Sequence, residues 1–210
     1  MSFTKADFAK ATGLDDAVIE DYAHWGATLQ KWNKRINLVA PSTLDDYWHR
    51  HAYDSWQIIP HLVDTVESVI DMGSGAGFPG IALAIEMKSR GHGHVTLVES
   101  AGKKVNFLRS VIRDLQLPAT VLSERAESLE PKAFDLVSAR AFAPLPKLLA
   151  YAHPFWAQHT RGLFLKGQGL AGELLEAQKD WAFSHRAHKS LTDDMASIVE
   201  ITQLGRLSAA

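Results

Sequence analysis

Ser68-Val69-Ile70-Asp71-Met72-Gly73-Ser74-Gly75-Ala76-Gly77-Phe78-Pro79-Gly80-Ile81-Ala82-Leu83-Ala84-Ile85 carries the decision about the fold. Ser68 to Asp71 is a short buried-strand pattern, a glycine-rich turn follows at once, and Ile81 to Ile85 opens an apolar helix. Open α/β sheets bind ligands at such strand-to-helix turns, because glycines permit a tight turn and let a ligand approach main-chain N–H groups. Pro79 suits the first helical position.

The alternation continues downstream. Strand patterns fall at His94–Glu99, Ala119–Leu122, Phe134–Ser138 and Gly162–Lys166, with helical patterns at Gly102–Leu115, Leu145–Trp156 and Leu170–Phe183 between or after them. Ser197–Thr202 reads as a last strand, and His185–Leu191 as its partner across the polar Thr192-Asp193-Asp194. Strands alternating with helices predict an α/β fold with a mostly parallel seven-stranded sheet, covered on both faces, and an antiparallel C-terminal hairpin. Upstream, Val18, Tyr22, Trp25, Leu29, Trp32 and Ile36 recur in steps of four and three, the stripe of one long helix. Pro41-Ser42 offers a stop and a new cap, and Leu44 to Leu62 reads as a second helix. A helical N-terminal extension over residues 1–62 and a main domain over 63–210 are expected to form one compact unit.

The chain has 210 residues, and 22 Lys and Arg against 24 Asp and Glu leave a formal charge of −2. A hydrophobic fraction of 46% with 22% charged residues excludes a disordered or collagen-like chain. With no cysteine, disulfides, thiolate metal sites and cysteine nucleophiles are all excluded. No window approaches the roughly 18 uncharged apolar residues of a membrane span, and the first residues lack the apolar block of a signal peptide. A soluble cytoplasmic protein with no membrane partner is therefore expected. His49 and His51 stand two apart, so on a helix they point to different faces, and no metal site is expected. Arg50 and Asp54 have the spacing of a helical ion pair.

Two ligands fit the glycine loop. Gly75-Ala76-Gly77-Phe78-Pro79-Gly80 matches the dinucleotide pattern G-x-G-x-x-G, and Glu99 lies near the expected distance for an acid that binds a ribose hydroxyl. S-adenosylmethionine enzymes use a similar loop with the same ribose acid, and add an acid before the first glycine, where Asp71 stands. A carboxylate there suits an ammonium or sulfonium and would repel a pyrophosphate, which favours the methyltransferase over an oxidoreductase.

The acceptor is narrowed by what the chain lacks. A cysteine-dependent pyrimidine methyltransferase is excluded, and no Asn-Pro-Pro-Tyr-like segment for an amino acceptor is present. Guanine N7 needs neither device, since its in-plane lone pair can attack a methyl group directly, with catalysis by alignment. Arg125, Arg140 and Lys166 lie at or just beyond strands, whose carboxyl ends converge on the ligand crevice, and so suit a nucleic-acid acceptor. Arg109 and Arg113 read as solvated helix charges. Trp32, on the apolar stripe, reads as core.

The chain resembles the glucose-inhibited division protein B family, ribosomal RNA small subunit methyltransferase G. The resemblance covers nearly the whole length. It rests on Lys31-Trp32-Asn33 with Asn37-Leu38, Arg50-His51 with Asp54-Ser55, Asp71 to Gly80, Gly102-Lys103-Lys104 with Phe107-Leu108, Ser138-Ala139-Arg140-Ala141, and Leu165-Lys166-Gly167. It implies a Rossmann-like class I methyltransferase fold and methyl transfer from S-adenosylmethionine to N7 of a guanine in the decoding region of 16S ribosomal RNA. The partner would be 16S rRNA within the 30S subunit or an assembly intermediate, and the enzyme a monomer. By position, Asp71, Gly73, Gly75, Gly77, Phe78, Glu99, Ala126, Glu127 and Arg140 would bind the cofactor. Lys103, Arg125 and Lys166 would position RNA, and Arg140 and Lys166 would act at the reacting end. The family more often carries Asp where this chain has Glu99, and the C-terminal segment departs most from the family pattern. A small-molecule methyltransferase and a non-catalytic RNA-binding module are the other readings of these residues.

Overall fold

The computed structural model describes residues 3–207. Seven strands form one sheet in the order β3-β2-β1-β4-β5-β7-β6. Strands β1 (Ser68–Met72), β2 (His94–Val98), β3 (Ala119–Leu122), β4 (Leu136–Arg140) and β5 (Arg161–Lys166) are parallel. The last two, β6 (Trp181–Lys189) and β7 (Ser197–Arg206), form the antiparallel hairpin, with β7 paired to β5. Strand order reverses between β1 and β4, and the crevice outside their carboxyl ends is where such a sheet offers a ligand site.

Burial explains the strand patterns. The central β1 and β4 are flanked by strands on both sides and covered on both faces, so Val69 to Met72 and Leu136 to Ala139 are all buried, the polar Asp71 and Ser138 among them. Helix α4 (Gly80–Arg90) buries seven residues from Gly80 to Met87. It lies between the sheet and the N-terminal extension, and so has little polar face. Helix α5 (Gly102–Leu115) buries only the stripe Val105, Phe107, Leu108, Val111 and Leu115. Helices α6 (Leu145–Ala152) and α7 (Leu170–Ala177) follow β4 and β5.

The extension does not stand apart. Phe8 of α1 (Lys5–Thr12) and Ile19, Tyr22, Trp25 and Leu29 of α2 (Asp16–Asn33) share one apolar core with Ile81 to Met87 and Val95. No helix among the described residues is long and apolar enough to cross a membrane.

Three sequence expectations need correction. The stripe on α2 ends at Asn33, short of Ile36, because the Asn33 side chain turns back to accept the amides of Leu38 and Val39 at 2.8 and 3.0 Å and so closes the following loop. Residues 44–62 are not one helix. They run through a π-helical segment (Trp48–Tyr53), one α-helical turn, α3 (Asp54–Trp56), and a 3-10 turn (Ile59–His61). The pattern at Leu170–Phe183 is helical only to Ala177, and Trp181 and Phe183 belong to β6. Trp181 and Phe183 fall two apart and share a face of the strand, a period that the helical reading overlooked.

Candidate active site

Two cavities flank the carboxyl end of β4 and share one wall residue, Ala141. The first, of about 390 Å³, lies over the ends of β1, β2 and β3 and is lined by Gly73, Glu99, Arg125, Ala126, Glu127 and Phe142, among others. The second, of about 540 Å³, is bounded by Arg140 and Lys166 after β4 and β5, by Arg50, His51 and Asp54 of the extension, and by Thr192 in the hairpin turn. Ala141 has φ 51°, the left-handed conformation, which costs a residue with a Cβ about 1 kcal/mol. Strain of that kind at the seam of two cavities is typical of sites where the backbone must be held in one pose.

Glu99 is the acid of the first cavity. It is buried to 9% exposure, and its two oxygens accept the amides of Gly75 (3.0 Å) and Ala101 (2.8 Å). The carboxylate therefore has a fixed orientation while lone pairs stay available on the cavity side to accept from a ribose diol. The solvated strand end that a surface position would give is not what is found. Gly73 has φ 66°, and a Cβ there would run into the Phe142 ring, so the strand-end loop passes close beneath that aromatic only because residue 73 is glycine. Ala126 and Glu127 form a 3-10 turn on the opposite wall, beside Arg125.

The other loop residues serve from behind. Gly75 reaches the cavity through its amide on Glu99, and Gly77 packs against Ile81. Phe78 is not on the wall of the first cavity; its ring lies 4.8 Å from Trp25 and 4.6 Å from His51 in a stack, with the Arg140 guanidinium 4.5 Å away. Asp71 is fully buried and faces inward. Ser138 Oγ donates to its Oδ1 at 2.8 Å, while Oδ2 lies under the first residue of α4 without a hydrogen-bond partner. Asp71 lines neither cavity, so the sequence expectation that it meets the cationic end of a ligand, directly or through water, is not supported by its position. The partial positive charge at the helix start offsets its burial in part.

Burial raises the Asp71 carboxyl from the usual 3.8 to about 6, against the opposing hydrogen bonds of Ser74 and Ser138. Between those two values the native state holds more protons than the unfolded chain. Stability is therefore lost as pH rises through this window, by about 3 kcal/mol at 1.36 kcal/mol per pH unit. Asp71→Asn removes this dependence. The stability of the variant minus that of the wild type, from urea unfolding, should rise by up to about 3 kcal/mol between pH 4 and 7. A flat difference would show that Asp71 ionises freely.

The second cavity is built around Arg140. Its Nη1 donates to Asp54 Oδ2 at 2.6 Å and to the Arg50 carbonyl at 3.2 Å, and its Nη2 lies 3.4 Å from His51 Nδ1. Burial, with the Arg140 and Arg50 charges, pulls His51 down to about 4, so the ring is neutral near pH 7. An Nδ1 lone pair toward Arg140 leaves Nε2–H for Thr43 Oγ1, 2.9 Å away. The expected Arg50–Asp54 pair does not form. The wider winding of residues 48–53 breaks the spacing of an ordinary helix and turns Asp54 toward β4.

The cationic residues separate. Arg140 lines the second cavity and not the first, so its expected contact with the cofactor is not supported by its position. Lys166 also borders the second cavity, but its Nζ is held by Glu173 at 2.6 Å and by the Ala143 carbonyl at 2.9 Å. It anchors the loop after β4 rather than offering a free charge. Arg125 is exposed on the rim of the first cavity, while Lys103 is exposed at the start of α5 and lines neither. Sequence reading missed Phe142 and Tyr151 on the wall of the first cavity and Gln57 and Thr192 on that of the second. For Phe142 the signal was its place directly after Arg140-Ala141; for the rest only the fold brings them in.

A parallel five-stranded core with this reversal, a glycine loop after β1, an acid closing β2 and an antiparallel hairpin at one edge define a class I, S-adenosylmethionine-dependent methyltransferase fold. A SAM-dependent methyltransferase from Aquifex aeolicus is similar with a TM-score of 0.56 at 15% identity, over 85% of this chain and 98% of that one. The PH0226 protein from Pyrococcus horikoshii OT3 is similar with a TM-score of 0.62 at 12% identity, over 84% and 98%. At the level of family, the model for GidB, rRNA small subunit methyltransferase G, matches residues 18–201. Ribosomal RNA small subunit methyltransferase G of Caulobacter vibrioides is 44% identical over 202 residues, 96% of this chain and 93% of the relative. That of Paramagnetospirillum magneticum is 40% identical over 195 residues, 93% of each chain. The chain belongs to the GidB family of rRNA small subunit methyltransferases G. The oxidoreductase alternative falls with that membership.

Proposed function

We propose that this chain transfers the methyl group of S-adenosylmethionine to N7 of a guanine in the decoding region of 16S ribosomal RNA, within the 30S subunit or an assembly intermediate, acting as a cytoplasmic monomer. The observation that supports this reading is the pair of cavities meeting at Ala141, one with a fixed carboxylate that can accept from the ribose of a nucleoside cofactor and one bordered by Arg140. S-adenosylmethionine, when bound, supplies an electrophilic methyl group. Glu99 holds the ribose hydroxyls, Gly73 admits the ligand against the backbone, and Ala126 and Glu127 close the far wall. Asp71, Gly75, Gly77 and Phe78 shape this seat from behind.

Arg140 has donors free beyond those given to Asp54 and Arg50, and these suit guanine O6 or a neighbouring phosphate, leaving the N7 lone pair unblocked. No general base is required, which agrees with a neutral His51 already committed to its neighbours. Lys103 and Arg125 are placed to meet the RNA backbone. Lys166 contributes by fixing the Ala143 carbonyl and hence the loop that separates the cavities.

Labelled methyl transfer to unmodified 30S subunits and, separately, to their naked RNA, mapped by cleavage at N7-methylguanine, tests the reading. One labelled decoding-region guanine is expected. No label in either substrate, with cofactor binding intact, would redirect the search to small-molecule acceptors. Glu99→Ala should weaken S-adenosylmethionine binding by about 10- to 100-fold in calorimetry, the worth of charge-assisted hydrogen bonds at about 1.5–3 kcal/mol. An unchanged affinity would remove Glu99 from the site.

A further inference from the structure

The hairpin turn between β6 and β7 and the N-terminal extension meet at the second cavity through the side chains of Asp54, Gln57 and Thr192. Asp54 is the junction. Its Oδ2 takes the Arg140 guanidinium, while its Oδ1 accepts from Thr192 Oγ1 at 2.6 Å and from Gln57 Nε2 at 2.9 Å. Gln57, only 2% exposed, has its other end on the turn: its Oε1 accepts the Leu191 amide at 2.8 Å and Ser190 Oγ at 3.3 Å.

The chemistry of these groups leaves one orientation. A backbone N–H can only donate, so the Gln57 oxygen must face Leu191, and its NH₂ group must then face Asp54. A carboxylate can only accept, so the Thr192 hydroxyl must donate to it. Thr192 in turn is held in the turn by Ser190, whose Oγ accepts the Thr192 amide at 3.2 Å. The chain of donors ends at Arg140, whose side chain is 20% exposed beside an 18% exposed Asp54. Arginine has three rotatable bonds beyond Cβ, and without a fixed carboxylate the fork would sample several poses in a cavity of this size. The Phe78 face and the Arg50 carbonyl limit where the guanidinium lies, but among the described residues only Asp54 supplies opposite charge at hydrogen-bond distance.

We propose that Thr192 and Gln57 are positioning residues for Arg140, acting through Asp54, so that the C-terminal hairpin turn sets the reacting end of the site from outside the cofactor-binding half. The inference rests on the reading that Arg140 acts on the acceptor. Its consequence is a division of effects. Disturbing the turn slows methyl transfer and spares cofactor binding, because none of these residues lines the first cavity.

The test uses the full chain and 30S subunits as acceptor, with kcat at saturating cofactor and acceptor, cofactor affinity and thermal stability measured on Thr192→Val, Thr192→Ser, Asp54→Asn and Arg140→Ala. Thr192→Val should lower kcat about tenfold and Asp54→Asn about 100-fold, as a misplaced catalytic group does. Cofactor affinity should stay within twofold in both, and Thr192→Ser, which keeps the hydroxyl, should restore the rate. Wild-type kcat in Thr192→Val and Asp54→Asn, while Arg140→Ala is impaired, would overturn the positioning role alone. A loss that Thr192→Ser does not restore and that tracks the fall in melting temperature would also overturn it, in favour of plain folding support. Wild-type transfer by Arg140→Ala would overturn both the role of Arg140 and the positioning that serves it.

Discussion

Arg140→Ala is expected to lower methyl transfer at saturating cofactor by about 100-fold or more while leaving affinity for S-adenosylmethionine within about twofold. The rate loss corresponds to about 2.7 kcal/mol of transition-state stabilisation, within the range for removing one preorganised donor from a reacting centre. Cofactor affinity is spared because the guanidinium stands on the wall of the second cavity and not of the first. Some stability should also be lost, since Asp54 would keep its bonds to Thr192 and Gln57 but have no cation on Oδ2. That cost is about 1–3 kcal/mol. Arg140→Lys should recover little of the rate, because a single ammonium cannot meet Asp54, the Arg50 carbonyl and an acceptor at once. Single-turnover kinetics with a calorimetric titration of the cofactor separates the two effects. An equal loss of cofactor affinity would place Arg140 in the first cavity instead.

Gly80→Val should destabilise the fold by about 3 kcal/mol or more, the upper end of the range for overpacking a core. Gly80 is the first residue of α4, directly over the end of β1. A Cβ there would lie 2.5 Å from Asp71 Oδ2 and closer still to Leu97, and both neighbours are fully buried. Asp71 has nowhere to retreat, because its other oxygen is bound to Ser138 and its strand is central in the sheet. For a chain of this size the loss should appear as a fall in melting temperature of about 6–12 °C. Gly102→Ala is the control, since no atom lies within 4 Å of a Cβ at that exposed helix start. If both variants melt together with the wild type, the helix–strand contact is looser than its geometry implies.

These two residues also show what kind of information the chain carries locally. Gly80 and Arg140 were both visible in the sequence as members of motifs, but the motifs did not give their neighbours. Gly80 serves the packing of α4 on β1 rather than the ligand. Asp71, read as a partner for a cationic ligand, is enclosed beneath the helix, and Phe78, read as a cofactor contact, packs between the extension and Arg140. A motif reports which residue types stand in order along the chain. It does not report which way a side chain points once a helix lies across it.

What the sequence by itself determined was the alternation of strands and helices, the glycine turn after β1, the acid closing β2 and the antiparallel close of the sheet. Each depends on periodicity or on residues adjacent in the chain, such as the run of apolar residues in a central parallel strand or the return of Ser197–Thr202 after a polar turn. What only the tertiary structure decided was the second cavity. Its parts come from residues 43–57, from the ends of β4 and β5 and from 190–197, and no local pattern couples Asp54 to Arg140 or Thr192 to Asp54. The π-helical winding of Trp48–Tyr53 defeated the spacing rule that paired Arg50 with Asp54, because the angle between side chains depends on the backbone hydrogen bonds actually formed. Contacts separated by 86 and 138 residues are made by the packing of the sheet, and their partners become neighbours only when the whole chain has folded.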